Sequence, residues 1–216
     1  MNNIIDKIYC VNLDCDHERF KYVKQQFEKL NLEVTRFPGI LGSEIKPGDY
    51  PEYIKKDSWL LKNKCGSVGC YLSHIKIWDE ILESENINQA LILEDDIDLD
   101  IDFNQKLEKY YQQVPDNWDL IYLGTGKMKG NNITKKIMKP KVGNYIGYNN
   151  GTFGYIIKKS SIHKLKKLIL PIDHKTIDYV IRSNFGKIKG YFFINKIIIH
   201  NYDFNPTKKL LDKNKL

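Results

Sequence analysis

The segment 90-ALILEDDIDLDID-102 constrains the fold most, because an uninterrupted apolar run passes straight into a string of acids. A strand without polar alternation is one buried on both faces, as happens when helices cover both sides of a parallel sheet. Other apolar runs with strand character are 4-IIDKIYCVNL-13, 33-EVTRFPGI-40, 118-WDLIYLG-124, 153-FGYIIK-158 and 191-YFFINKIIIH-200. Helical periodicity falls between them. In 16–32, Phe20, Val23, Phe27 and Leu30 share a face behind a capping Asp16; in 67–85, Leu72, Ile75, Trp78 and Leu82 do so behind Ser67. Residues 160–170 and about 173–184 read as two more helices. This alternation predicts an α/β fold with a mostly parallel central sheet flanked by helices. Residues 39–66, with Pro47, Gly48 and Pro51, read as an irregular surface loop long enough to serve a site.

A chain of 216 residues holds one substantial core, so residues 1–205 are expected to form a single domain and 206–216 a basic C-terminal tail. Hydrophobic residues at 42% exclude a disordered chain. The N-terminal apolar stretch is interrupted by Asp6 and Lys7 and is far short of the ~20 residues of a membrane span. A cytoplasmic protein follows, with membrane contact at most peripheral. Cys10, Cys15, Cys65 and Cys70 form pairs with four intervening residues each, a poor match to zinc spacing, and are read as reduced thiols. The net charge of +7 is spread over scattered lysines with no nucleic-acid module, so no nucleic-acid partner is expected. An anionic acceptor or membrane surface is the alternative to plain solvated surface.

The chemistry concentrates in 94-EDD-96. Ligands of open α/β sheets bind beyond the carboxyl ends of the strands, where this run places its first charges. Side chains alternate along an extended segment, so Glu94 and Asp96 are expected on one side and Asp95 elsewhere. Hard oxygen ligands suit Mn²⁺ or Mg²⁺, which keep positions open for substrate phosphates. A solvated turn is the competing explanation. A calcium loop fails on its own spacing, since its sixth position is Ile101 and its twelfth Leu107.

Several blocks taken together resemble glycosyltransferase family 25, the lipooligosaccharide and procollagen galactosyltransferase-like family with giant-virus members. They are 11-VNLDCDHER-19, 36-RFPGILGSEI-45, 66-GSVGCYLSHIKIW-78, 91-LILEDDIDL-99, 119-DLIYLG-124 and 151-GTFGYIIKKSSIHKL-165, with an Asp before the last strand. The resemblance implies a GT-A type, Rossmann-like nucleotide-sugar-binding fold, a UDP-hexose donor, a divalent metal and inversion at the anomeric carbon. It implies a metal at Glu94 and Asp96, and donor contacts from Asn12, Leu13, Arg19, Gly39, Ile40, His74, Glu94 and Asp95.

Inversion by direct displacement needs a base for the acceptor hydroxyl. The resemblance implies an acidic residue at the start of a helix in this region, which makes Asp173 and Asp178 the candidates, with Asp178 preferred for its apolar neighbours Ile177, Val180 and Ile181; helix capping is the competing role of either. Ser73 and His74 read as scaffold or site. Gly151 and Gly154 are expected to let backbone approach sugar or acceptor, unless they only form a turn. Manganese-dependent hexosyl transfer from UDP-galactose or UDP-glucose to a glycan, glycolipid or collagen-like acceptor is thus the expectation, lipooligosaccharide biosynthesis being one setting. Nucleotidyl transfer and noncatalytic carbohydrate or anionic-surface binding are the alternatives.

Overall fold

A computed structural model describes residues 4–143, 148 and 150–204; the basic tail assigned to 206–216 lies outside the described residues. The chain begins with β1 (Lys7–Asn12), α1 (His17–Lys29) and β2 (Thr35–Pro38). The long loop then carries a 3-10 turn at Gly42–Glu44 and the short helix α2 (Trp59–Asn63), leading to α3 (Cys65–Glu83). Next come β3 (Gln89–Glu94), β4 (Ile97–Leu99), α4 (Phe103–Tyr111), β5 (Leu120–Gly124), β6 (Gly130–Asn132) and β7 (Ile137–Pro140). The last elements are β8 (Gly154–Lys158), α5 (Lys159–Ile169), α6 (Ile177–Ser183), β9 (Gly190–Phe193) and β10 (Ile198–His200).

Eight strands form one sheet in the order β2-β1-β3-β8-β5-β9-β7-β6. Strands β2, β1, β3, β5, β9 and β6 run one way, and β8 and β7 the other. The sheet is therefore mostly parallel, as expected, with β8 inserted antiparallel between β3 and β5. Both of its faces are covered. Along β3, Ala90 and Ile92 pack with α3 and α5, while Leu91 and Leu93 pack with α1 and α4. The same division separates Leu120 and Tyr122 from Ile121 and Leu123 on β5. This two-sided burial is why β3 reads as continuously apolar.

The helix starts differ from expectation. Asp16 makes no side-chain cap to α1; its carbonyl instead accepts the Asn12 side-chain amide at 3.0 Å. Helix α3 starts at Cys65, which leaves Ser67 inside its first turn rather than at its cap. The one serine cap in this stretch belongs to α2, where Ser58 accepts from the Leu61 N–H at 3.2 Å. The expected last strand 191–200 divides at Ile194–Ile197 into β9 and β10, and β10 leaves the main sheet to pair antiparallel with β4.

Candidate functional site

Strands β2, β1 and β3 are parallel neighbours, so their carboxyl ends at Pro38, Asn12 and Glu94 open on one side of the sheet. A cavity of about 280 Å³ lies there. Asn12, Leu13 and Arg19 line one wall and Gly39 and Ile40 another; His74, Glu94, Asp95 and Asp96 complete it. Every residue expected to touch donor or metal thus borders a single space. A second hollow of about 530 Å³ shares Leu13, Gly39, Ile40 and Leu41 with the first and extends to Glu44, Asp49 and Tyr50.

The three adjacent carboxylates have separate roles. Asp95 is buried and accepts from Asn12 Nδ2 at 2.7 Å and Arg19 NH1 at 3.2 Å, so protein donors occupy both of its oxygens. It fastens β1, α1 and β3 together at the cavity wall. Glu94 Oε1 accepts from the Thr152 hydroxyl at 2.5 Å and lies 3.4 Å from His74 Nε2. Burial works to raise the Glu94 carboxyl, but the His74 ring, the Thr152 hydroxyl and His200 together hold it below the usual range. Asp96 Oδ2 faces Arg19 at 3.4 Å and His200 at 3.3 Å, whereas its Oδ1 is buried without a partner.

Burial first, and the Glu94 charge second, raise the Asp96 carboxyl to about 6 against the opposing pull of His200 and Arg19. The sign for stability follows from the folded form holding this proton more tightly than the unfolded chain. Its contribution is fully present below the unfolded value near 3.8 and is lost as pH rises through about 6. Metal-free Asp96→Asn is therefore expected to melt above the parent at about pH 7.5, by ~2–4 °C per kcal/mol relieved, with a smaller gain at about pH 5. Thermal melts at the two pH values check this.

His200 is a site residue that the sequence did not disclose. Its position depends on two glycines. A Cβ at Gly124 would lie 2.2 Å from the Ile198 carbonyl oxygen, and one at Gly154 would lie 2.2 Å from Ile198 Cδ1. Without those side chains β10 can cross the sheet end and pair with β4, with His200 opposite Ile97. The space at Gly154 is thus filled by Ile198, not by a ligand as expected. Gly151 has a left-handed φ of 88° and donates its N–H to Asp178 Oδ2 at 3.1 Å.

Helix α3 closes the opposite wall. Ser73 Oγ accepts from the Ile40 N–H at 2.8 Å and donates to the Gly69 carbonyl at 2.7 Å, which pins the 39–42 segment against the helix. Ser73 is therefore a positioning residue for the loop. A Cβ at Gly69 would meet the Ile40 oxygen at 2.3 Å and the Gly42 nitrogen at 2.7 Å. Alanine ordinarily favours a helix interior over glycine, but here the backbone contact dominates. Gly69→Ala is expected to destabilise the protein by about 1–3 kcal/mol in urea denaturation, as overpacked sites do.

The two candidate bases separate clearly. Asp178 lies in the first turn of α6, accepts from the Thr176 hydroxyl at 2.5 Å and from Gly151, and its charge acts on the Cys70 thiol alongside those of Glu94 and Asp96. Gly151 precedes Thr152, which binds Glu94 directly, so the Asp178 network adjoins the carboxylate network. Asp173 lies elsewhere, paired with Lys55 at 2.8 Å and with His174 at 3.4 Å. It borders a different hollow. All four cysteines are free, as read from the sequence. Cys70, however, sits one helical turn before His74 and close to Glu94, a grouping that the spacing among the cysteines concealed.

Comparison with known proteins places this architecture. A glycosyltransferase solved for its involvement in glycosylation of the major capsid of PBCV-1 aligns over 97% of this chain and 98% of its own, with a TM-score of 0.51 at 9% identity. The fold is of the GT-A type found in glycosyltransferases. The family model described as Glycosyltransferase family 25 (LPS biosynthesis protein) matches residues 5–181, and the chain belongs to glycosyltransferase family 25. A Glycosyltransferase 25 family member of Drosophila pseudoobscura pseudoobscura is 29% identical over 78% of the chain, and the human Procollagen galactosyltransferase 2 is 32% identical over 74%. The aligned region spans only 29% and 27% of those relatives. Among the described residues no helix is long and apolar enough to cross a membrane.

Proposed function

We propose that this chain transfers a hexose, galactose or glucose, from a UDP-sugar to a hydroxyl of a glycan, glycolipid or collagen-like acceptor, with inversion and with a divalent metal. The observation that carries the reading is the buried, partnerless Asp96 Oδ1 beside Glu94 in the cavity at the strand ends. A buried carboxylate oxygen without a donor is costly, and a hard cation is the partner that suits it. The residues present fit such an ion: Glu94 and Asp96 would hold Mn²⁺ or Mg²⁺. When bound, the ion supplies charge neutralisation for a diphosphate leaving group. The family membership and the names of the galactosyltransferase relatives support the donor class.

The chain's own groups then divide the work. Asn12 and Arg19 hold Asp95, and Arg19 also holds Asp96 in place, while its second amine donates to the Phe204 carbonyl. Leu13, Gly39 and Ile40 form the passage into the adjoining hollow, where a nucleoside could extend. Asp178 takes the acceptor hydroxyl proton. The acceptor oxygen forms its bond to the anomeric carbon as the bond to the diphosphate oxygen breaks on the opposite face, and that electron pair leaves with UDP. The Gly151 and Thr176 donors orient the Asp178 carboxylate and leave a lone pair on each oxygen.

Product analysis tests the reading. Incubation with UDP-hexoses, Mn²⁺ and a panel of sugar and hydroxylysine acceptors is expected to release UDP. Release of pyrophosphate would instead indicate nucleotidyl transfer, and binding without any product would indicate a carbohydrate-binding protein.

A further inference from the structure

We infer that Cys70, His74 and Glu94 form a site for a soft divalent cation of the zinc class, distinct in donor chemistry from the oxygen pair Glu94 and Asp96. Cys70 and His74 are four residues apart on α3 and so share one helix face; Glu94 approaches from the end of β3. The thiol sulfur, a ring nitrogen and a carboxylate oxygen lie within 4.8 Å of one another. His74 is fully buried, and its Nε2 makes no hydrogen bond of good geometry, facing only the ion-pair contact to Glu94 Oε1 at 3.4 Å. Its ring is fixed from behind. Nδ1 lies 2.9 Å from the Tyr155 hydroxyl, whose oxygen also accepts from the Trp78 indole N–H at 2.9 Å. Nε2 is thereby aimed at Glu94, 3.4 Å away.

A tetrahedral zinc with ordinary Zn–S, Zn–N and Zn–O bonds separates its ligand atoms by roughly 3.4–3.6 Å, so the His74–Glu94 spacing of 3.4 Å already fits and the Cys70 sulfur, within 4.8 Å of the other two atoms, closes the remaining gap on binding. Thiolate and imidazole favour Zn²⁺ or Co²⁺ over Mg²⁺ and Mn²⁺. Binding releases the Cys70 thiol proton to solvent and leaves the imidazole proton on Nδ1, facing the Tyr155 oxygen. Three protein ligands leave the fourth position open to water or substrate. Glu94 is common to both donor sets, so a zinc-class ion competes with the hard cation for it. The inference stands on the cluster itself, whatever the chain transfers.

Co²⁺ titration of the reduced, folded protein tests it through the near-ultraviolet thiolate-to-cobalt charge-transfer band. A saturable band at one equivalent is expected, displaced by Zn²⁺ but not by Mg²⁺. Cys70→Ala is expected to abolish the band, whereas Cys15→Ser, Cys65→Ser and Asp96→Ala retain it. Tyr155→Phe, which withdraws the support of the imidazole, is expected to weaken Co²⁺ binding by about 10- to 100-fold. Near-ultraviolet circular dichroism confirms that each variant is folded. No band in the folded parent, or an undiminished band in folded Cys70→Ala, would overturn the site.

Discussion

Asp96→Ala is expected to lower metal-supported donor turnover by about 10²- to 10³-fold, the scale on which loss of a charge-stabilising group acts, while leaving the fold intact. The separation of activity from stability follows from the wiring of the site. Asp95 carries the shorter structural contacts, to Asn12 at 2.7 Å and Arg19 at 3.2 Å, while Asp96 meets Arg19 at 3.4 Å. Asp96 is buried against another carboxylate and keeps one oxygen without a partner, an arrangement that disfavours its charge in the metal-free protein. Removing it relieves that repulsion and forfeits a ligand. Steady-state turnover with saturating UDP-hexose and Mn²⁺, set beside a urea melt, checks both halves; unchanged turnover sinks the metal assignment.

Asp178→Asn is expected to lower kcat by about 10²- to 10⁴-fold with little change in the KM for donor, because an amide cannot accept the acceptor proton. Asp173→Asn is the matched comparison. Asp173 is held by Lys55 at an exposed edge, and its carboxyl is kept below the usual range chiefly by that hydrogen bond. Its loss is expected to change kcat less than about twofold, as a surface ion pair would. The reverse outcome, a large loss for Asp173→Asn and none for Asp178→Asn, would move the base to Asp173.

The sequence disclosed elements whose pattern is local. Strand β3 was legible because two-sided burial makes it apolar throughout, and α1 because Val23 and Phe27 recur at helical spacing. Helix α4 has a short signal, with Phe103, Leu107 and Tyr110 spaced as a buried helical face. The acids just before it read as the continuation of a strand. The hairpin of β6 and β7 is short, polar and lysine-rich, so it offered no periodic signal. The break between β9 and β10 is marked only by the polar pair Asn195 and Lys196, flanked on both sides by isoleucines with strand character.

At the site, the motif blocks contain residues that border the cavity, but they carry no sign of how those residues divide their work. The resemblance implies a donor contact for Asp95, and in the structure Asn12 and Arg19 donate to its two oxygens. His200 reaches Asp96 only because Gly124 and Gly154 admit Ile198, a long-range condition with no local signature. The Cys70–His74 spacing was present in the sequence, but its third member comes from β3 and appears only in three dimensions.

The most direct test of the central claim is a thermal-shift titration of UDP-sugars with and without Mn²⁺, since a ligand that binds only the folded state must stabilise it. One UDP-hexose is expected to stabilise the protein by about 2.7 kcal/mol at a hundredfold excess over its Kd, only when Mn²⁺ is present, and not in Asp96→Ala. No shift with any UDP-sugar in folded protein, or an equal shift without Mn²⁺ and in Asp96→Ala, would contradict a metal-dependent UDP-sugar transferase.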